Sequence, residues 1–165
     1  MSDISVQTDQ DLDAIEALMA EAFGPNRNER SVWALRPGPP VGSLCLVMRE
    51  GGVPVGSLRF WEVMLGAQVV LLLGPLAVRP ELRGRGFGQD LINEALRRAG
   101  EGDWPLVLVS GEVDYYPRFG FVPAAPYGLD WPGFIEPERL QVYELRSGAL
   151  AALPAGPLAV RPLPG

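Results

Sequence analysis

Arginine and glycine alternate in "RGRGFG", residues 83–88, and this stretch leads directly into a helical pattern. A helix N-terminus presents backbone N–H groups without partners and the positive end of the helix dipole, so it binds phosphate groups readily. Glycines let the backbone approach an anion closely, and Arg83 and Arg85 add positive charge. The spacing is therefore compatible with an anion site at the start of this helix. A helix-entry turn with solvated arginines is the alternative.

A strand interrupted by proline precedes this loop. Val69 to Val78 is almost wholly apolar, which is typical of a buried strand, yet Gly74 and Pro75 lie in its middle. Proline has no backbone N–H and cannot donate to a β-ladder, so central strands rarely contain it. A place where the ladder is released would explain this proline, and an edge strand with a harmless proline is the alternative.

The composition excludes several kinds of active site. The 165 residues contain no histidine and no lysine, so a histidine base, a phosphate-loop lysine and a lysine Schiff base are all excluded. The single cysteine, Cys45, allows neither an intramolecular disulfide nor a cysteine-rich zinc site, and no metal site is expected. Cys45 lies in an apolar run, which favours a buried residue over an acyl-carrying nucleophile.

Charge and hydropathy limit the surroundings in which the protein works. The net charge of −6 argues against a surface that coats nucleic acid. No apolar stretch reaches the ~18 residues of a membrane span, and the acidic, polar first residues are unlike a signal peptide. We therefore expect a cytoplasmic protein with no nucleic-acid or membrane partner.

Other patterns predict the elements that hold the loop in place. Thr8 and Asp11 resemble a capping box, and an apolar helical repeat follows them to about Gly24. Gly51 and Gly52 separate two strands of a hairpin. The order strand, loop, helix, strand around residues 69–111 predicts a parallel strand pair with a right-handed crossover.

Weaker signals complete the predicted fold. A short helix is predicted over 29–35, a helical turn over 113–119, and further strands over 3–8, near 121 and over 139–145. "GPLAVRP" occurs at 74–80 and again at 156–162, where it is a coincidence or a terminal strand. We predict one domain over residues 1–165, of mixed α/β class, with about seven strands in a mixed twisted sheet and three to four helices.

Three motifs in a fixed order resemble the GNAT superfamily of acyl-CoA-dependent N-acyltransferases. Arg83-x-x-Gly86-x-Gly88 is similar to its Gln/Arg-x-x-Gly-x-Gly/Ala signature. The strand "LGPLAV" before the signature and "YYPRFGF", Tyr115 to Phe121, after it are also similar to the superfamily. The resemblance covers essentially the whole chain.

The resemblance implies a GNAT-like domain whose central strand pair is splayed, with acetyl-CoA as cosubstrate in the opening. The backbone of the fourth strand would pair with the pantetheine amides and hold the thioester carbonyl, and the glycine loop would hold the pyrophosphate. The residues implied are Leu76, Ala77 and Val78 on the strand and Arg83, Gly84, Arg85, Gly86, Phe87, Gly88 and Gln89 on the loop.

The resemblance also implies an acid. Amine attack on a thioester expels a thiolate, and a tyrosine of pKa about 10 can protonate a sulfur of pKa about 8.5. Tyr116 stands four residues before Gly120, where the superfamily often has this acid, and Tyr115 is expected to pack instead. For the base, Glu112 is our first choice among the carboxylates, which include Asp114, and a water relay is the alternative.

The acceptor is expected to be a small-molecule or peptide amine. Glu62 on the third strand and Tyr127 and Trp131 in "PAAPYGLDWPGFIEPE" are the predicted substrate-binding residues, because aromatic faces beside carboxylates suit a cationic amine. A loop that merely covers the sheet edge is the alternative. We predict an N-acetyltransferase that works by direct attack, and a non-catalytic acyl-CoA-binding domain is the alternative. Homodimer formation is left open.

Overall fold

The computed structural model describes residues 2–23 and 35–164. Nine strands and two α-helices lie in these ranges, joined by turns and short 3-10 helices. In chain order they are β1 (Ser2–Val6), α1 (Leu12–Phe23), β2 (Leu46–Glu50), β3 (Val53–Leu65), β4 (Gln68–Val78), α2 (Phe87–Ala99), β5 (Leu106–Ser110), β6 (Val122–Pro123), β7 (Leu129–Asp130), β8 (Leu140–Glu144) and β9 (Leu158–Pro162).

The strands form one mixed sheet. Its main order is β1-β2-β3-β4-β5-β8-β6, in which only β4 and β5 are parallel neighbours. The predicted mixed α/β class and the parallel pair are confirmed. The count of about seven strands matches this main order but omits β7, which has two residues, and β9, which pairs antiparallel with the end of β3. The second "GPLAVRP" copy is therefore a terminal strand.

The prediction of three to four helices is wrong for the described residues, which contain two α-helices. The turn predicted over 113–119 is a single 3-10 helix at Tyr116–Phe119, with proline in its first turn, and it is too short to count as a further α-helix. The helix predicted over 29–35 lies, except for Leu35, outside the described residues. Within the described ranges no helix is long and apolar enough to cross a bilayer.

The two helices cover opposite faces of the sheet. Leu91, Ile92 and Ala95 of α2 are fully buried, and they pack in one cluster with Phe60 and Leu71 of the sheet. On the other face, α1 buries Ile15, Leu18 and Met19 against Ala77, and a separate cluster lies around Val70, Leu72 and Leu158. The spacing of these apolar residues at three to four positions along each helix explains why one face of each helix is buried.

The capping box at the start of α1 is confirmed. The backbone N–H of Thr8 donates to Asp11 Oδ2 over 2.9 Å. Arg49 of β2 donates to both oxygens of Asp11, at 2.8 and 2.9 Å, and so ties the helix start to the sheet. Hydrogen bonds from Arg49 lower the pKa of the Asp11 carboxyl to about 2, although its burial acts in the opposite direction.

Candidate active site

Strands β4 and β5 pair briefly and then diverge. Their parallel ladder holds only Leu71 with Val107 and Leu72 with Leu108. On its other side β4 has a bulge, because β3 pairs Phe60 with Leu73 but Leu58 with Leu76. A single β3 residue, Arg59, therefore stands opposite both Gly74 and Pro75.

The bulge lies where the expected release of the strand was placed. Past it, β4 continues through Leu76, Ala77 and Val78 along β3, but on the β5 side no described strand pairs with these residues. Pro75 has no N–H to donate, so the bulge places a residue without a donor at the point of divergence. The sequence signal and the sheet geometry agree on a splayed central strand pair.

A cleft of about 400 Å³ opens beside this divergent part of β4. Its walls come from four places: the end of α1, the free half of β4, the loop into α2, and the residue just before the 3-10 helix at Tyr116–Phe119. The lining residues are Ala22, Leu76, Ala77, Val78, Leu82, Arg83, Gly84, Gly86, Phe87, Gly88, Gln89 and Tyr115. Nine of the ten residues predicted for cosubstrate binding are among them; the tenth, Arg85, is not.

The N-terminus of α2 forms one end of the cleft. Gly86 is the residue before the first helical turn, with φ of 82°, a conformation that side chains other than glycine adopt with strain. No side chain caps this helix, so the first backbone N–H groups remain available to a ligand. At Gly88 a Cβ atom would come within 2.9 Å of the Tyr115 hydroxyl, so a larger residue there would press on the cleft wall.

The two arginines of the loop have different surroundings. Arg83 is exposed, lines the cleft, and has no carboxylate within salt-bridge distance among the described residues. Arg85 instead pairs with Glu50 of β2, with 3.0 Å between Nη2 and Oε2, and its guanidinium lies 4.8 Å from the centre of the Phe87 ring. The positive charge at the cleft therefore comes from Arg83 and from the helix dipole.

The adjacent tyrosines occupy different parts of the site. Tyr115 lines the cleft beside the start of α2, and burial raises the pKa of its hydroxyl although the Arg118 charge acts in the opposite direction. Tyr116 is 8% exposed and packs edge-on against Phe121, with 5.5 Å between ring centres. Its ring lies so close to Gly111 that a Cβ atom on that residue would overlap it.

Gly111 directly follows β5, so Tyr116 lies on the β5 wall, near the root of the divergence. Tyr115 lies further out, beside the helix N-terminus. Tyr115 was expected to pack, and the structure also places it on the cleft wall, with its hydroxyl beside Gly88. The position of its side chain depends on the 3-10 turn, whose geometry the sequence does not specify.

The remaining predicted site residues lie away from the cleft lining. Glu112 is exposed just after β5, and its carbonyl accepts hydrogen bonds from Tyr115 N and Tyr116 N. The Glu62 carboxylate accepts a hydrogen bond of 2.9 Å from the Trp104 indole, at the other end of α2. Trp131 is 8% exposed in the core cluster around Val142, and Tyr127 packs against the same cluster.

The cleft also contains residues that sequence analysis did not name. Leu82 directly precedes the arginine–glycine loop, so its proximity to the signature could have indicated it. Ala22 lies at the end of α1, and only the packing of α1 against β4 brings it to the cleft. Cys45 is buried, as expected, with its Sγ 3.3 Å from the Val41 carbonyl oxygen, and burial raises the pKa of its thiol.

A mixed sheet with a splayed central pair, beside an uncapped glycine-rich helix start, defines a class of group-transfer domain that holds a phosphate-bearing cosubstrate between the two strands. The model of the acetyltransferase (GNAT) domain matches residues 41–123, which include β4, the loop, α2 and the tyrosine pair. This match covers half of the chain. The chain therefore belongs to the GNAT family of acetyltransferases.

Relatives of known sequence and structure support this assignment. The chain is 29% identical over 151 residues to YhbS of Escherichia coli, named as an uncharacterized N-acetyltransferase, and the match covers 89% of each protein. The crystal structure of YhbS in complex with CoA has a TM-score of 0.81 at 28% identity, over 97% of this chain and 88% of that one.

A GNAT family acetyltransferase from Brucella melitensis, in complex with acetyl-CoA, has a TM-score of 0.73 at 26% identity, over 96% of this chain and 95% of that one.

Proposed function

We propose that this acetyltransferase transfers an acetyl group from acetyl-CoA to a primary amine by direct attack. The observation that carries the proposal is the divergence of β4 from β5 beside the uncapped N-terminus of α2. The open side of β4 offers backbone N–H and C=O groups to an extended, amide-containing chain. The helix start offers N–H groups to phosphate oxygens at the other end of the same cleft.

The residues present fit acetyl-CoA. In the proposal, the backbone of Leu76, Ala77 and Val78 binds the pantetheine amides and the thioester carbonyl. Residues 83–89 hold the pyrophosphate through their N–H groups, with Arg83 as the cationic side chain that has no carboxylate partner among the described residues. Arg85 contributes charge from the rim, since it is paired with Glu50. The two solved relatives with CoA and acetyl-CoA support the choice of cosubstrate.

Tyr116 is proposed as the general acid. Attack of the amine nitrogen on the thioester carbonyl carbon forms the new C–N bond, and the electron pair of the C–S bond passes to sulfur. Tyr116 then donates its hydroxyl proton to the sulfur. The place of its ring, against Gly111 on the β5 wall, supports this role, because the acetyl group must lie near the root of the divergence to meet an acceptor. Tyr115 lies nearer the helix start and is proposed as a wall for the cosubstrate.

The amine must lose a proton for the product amide to form. We propose that this proton leaves through water to the exposed carboxylate of Glu112, which lies in the segment between β5 and the tyrosine pair. The tyrosinate regains a proton from solvent, so the reaction yields the amide and free CoA thiol. Glu62, Tyr127 and Trp131 stay proposals as acceptor-binding residues. The Glu62 carboxylate accepts a hydrogen bond from Trp104, and Tyr127 and Trp131 pack with the core cluster around Val142.

The direct test is thiol release from acetyl-CoA with a panel of amines, followed by mass analysis of the acceptor. Turnover with acetylated product supports the proposal. Binding of CoA without turnover of any amine would instead indicate a non-catalytic domain that binds the cosubstrate. A thermal shift with CoA, measured on the same protein, separates these two outcomes.

A further inference from the structure

Arg59 lies on the face of the sheet opposite α2. Its neighbours along β3, Leu58 and Phe60, are both fully buried in the core cluster that contains α2, so the alternation of a strand turns Arg59 to the other side. On that face its Nε donates to Gln7 Oε1 over 2.9 Å, and the Gln7 amide in turn donates to Ser57 Oγ over 2.9 Å. Two uncharged side chains, Gln7 and Ser57, thus hold the guanidinium in one place.

The backbone of Arg59 lies beside the bulge at which the proposed reaction takes place. Arg59 is the residue that stands opposite Gly74 and Pro75, at the bulge where β4 leaves β5. A second guanidinium reaches the same bulge from another segment: Arg36 Nη2 lies 3.1 Å from the position of a Cβ atom on Gly74. The Arg36 side chain and the backbone of Arg59 therefore lie at the same bulge, which directly precedes Leu76.

The charge of Arg59 has no carboxylate counterpart within the part of the chain that the structure describes. Arg59 is half-buried, and its hydrogen bond is to a neutral amide. Two other half-buried arginines have carboxylate partners: Arg49 pairs with Asp11 at 2.8 Å, and Arg98 pairs with Glu94 at 2.6 Å. Placing a cation in a partly buried position costs free energy unless an anion or hydrogen bonds compensate. The Nη groups of Arg59 donate to no described residue, and this fork geometry matches a carboxylate.

We propose that Arg59 binds a carboxylate of the acceptor, so that the acceptor is an amine that also carries a carboxylate, as an amino acid does. This inference rests on the proposed acetyl transfer and specifies its acceptor. It also differs from the expectation of a cationic amine bound by the acidic loop 123–138, because Trp131 of that loop is in the core and the carboxylates of the loop are exposed. In an α-amino acid the amino nitrogen is two bonds from the carboxylate carbon, so a carboxylate bound by Arg59 would keep the amino group close to this residue.

The test compares amino acids with their own carboxamides. Thiol release from acetyl-CoA is measured for each acid and its amide, and the ratio of the two kcat/KM values is taken for wild type and for Arg59→Gln. The amino group of an amino acid and that of its amide differ in basicity. Comparing the same acid-to-amide ratio in two proteins cancels this difference. We expect the acid-to-amide ratio to fall by about 10- to 100-fold in Arg59→Gln, as for loss of a charge-assisted hydrogen bond. Arg59→Lys should retain part of the preference.

Matched controls separate binding of the acceptor from damage to the fold. Arg161→Gln removes another arginine without a carboxylate partner among the described residues, on β9 beside the end of β3 rather than at the bulge, and should leave the ratio unchanged. The thermal shift with CoA should be the same in all variants, because Arg59 lies outside the cleft lining. If Arg59→Gln does not fold, inhibition of wild type decides: N-acetylated amino acids should inhibit at least about tenfold more strongly than their amides.

Three outcomes overturn the inference. Equal acid-to-amide ratios in wild type and Arg59→Gln, or turnover of amines without any amino acid being accepted, would refute the carboxylate contact and leave acetyl transfer intact. Failure to turn over any amine while CoA still binds would refute the proposed function itself, and the inference with it.

Discussion

A charge placed at Gly86 should abolish cosubstrate binding without unfolding the protein. A Cβ atom at Gly86 meets no heavy atom within 4 Å, so a glutamate there enters open cleft space without a clash. The backbone φ of 82° adds strain of about 1 kcal/mol for any side chain. Gly86→Gln carries the same strain and nearly the same shape, and is therefore the matched control for Gly86→Glu.

The size of the effect follows from the charges involved. At an effective dielectric constant of about 20, two like charges about 4 Å apart repel by about 4 kcal/mol, which screening at this half-exposed site reduces. Gly86→Glu should therefore weaken CoA binding by about 10²–10³-fold. CoA at about 100 times its dissociation constant stabilises wild type by ~2.7 kcal/mol, and this corresponds to a rise in Tm of about 5–11 °C. In Gly86→Glu the same concentration should leave Tm almost unchanged.

The assay is a thermal melt of the three proteins with and without CoA. Without CoA, Gly86→Glu and Gly86→Gln should melt at similar temperatures, somewhat below wild type. With CoA, Gly86→Gln should keep a large part of the wild-type shift and Gly86→Glu should lose it. Equal shifts in all three proteins would show that the phosphates bind elsewhere, and the role given to the helix N-terminus would be wrong.

Two further predictions concern the acid and the helix start. Tyr116→Phe should lower kcat by about 10²–10⁴-fold with little change in the KM for acetyl-CoA, whereas Tyr115→Phe should keep kcat within a few fold and alter mainly that KM. Retention of kcat in Tyr116→Phe, with an unchanged pH–rate profile, would assign the proton transfer to water. The folded-state pKa of Asp11, about 2, is below its ordinary 3.8, so its ion pair with Arg49 stabilises the fold above about pH 4 and this stabilisation is lost as pH falls toward 2. Denaturant melts give the free energy of unfolding at each pH. Between pH 4 and pH 2, Asp11→Asn should lose about 2 kcal/mol less of this free energy than wild type does. An equal loss in the two proteins would contradict this.

Local signals predicted those elements that are set by residues close together in the chain. The Thr8–Asp11 capping box marks the start of α1 because its hydrogen bonds form within one turn. Gly51 and Gly52, with φ of 60° and 82°, connect β2 and β3 because few other residues adopt that conformation readily. The boundaries of α2 follow from its glycine-rich start and apolar repeat.

Distant contacts decided what local signals missed. Strand β7 has two residues and exists because β9 lies beside it, so its own sequence carries no pattern to detect. Trp131 appeared as a candidate for substrate contact because of its residue type, yet it is buried among residues from β8 and β9. Arg59 carried no motif, and only the pairing of β3 with the bulged β4 places it opposite Gly74 and Pro75.

The sequence by itself determined the chemistry that is available: no histidine or lysine, an arginine–glycine loop before a helix, a proline within a buried strand, and tyrosines ahead of Gly120. These depend on residue type and short spacing, which a chain carries whatever its fold. The tertiary structure decided which of these groups share a cleft and which charges remain unpaired. It set Arg83 facing the cleft and Arg85 against Glu50. It also turned the ring of Tyr115 edge-on to the ring of Tyr116, so that only Tyr115 lines the cleft. The physical reason is that side-chain direction and ion pairing depend on neighbours that only folding brings together.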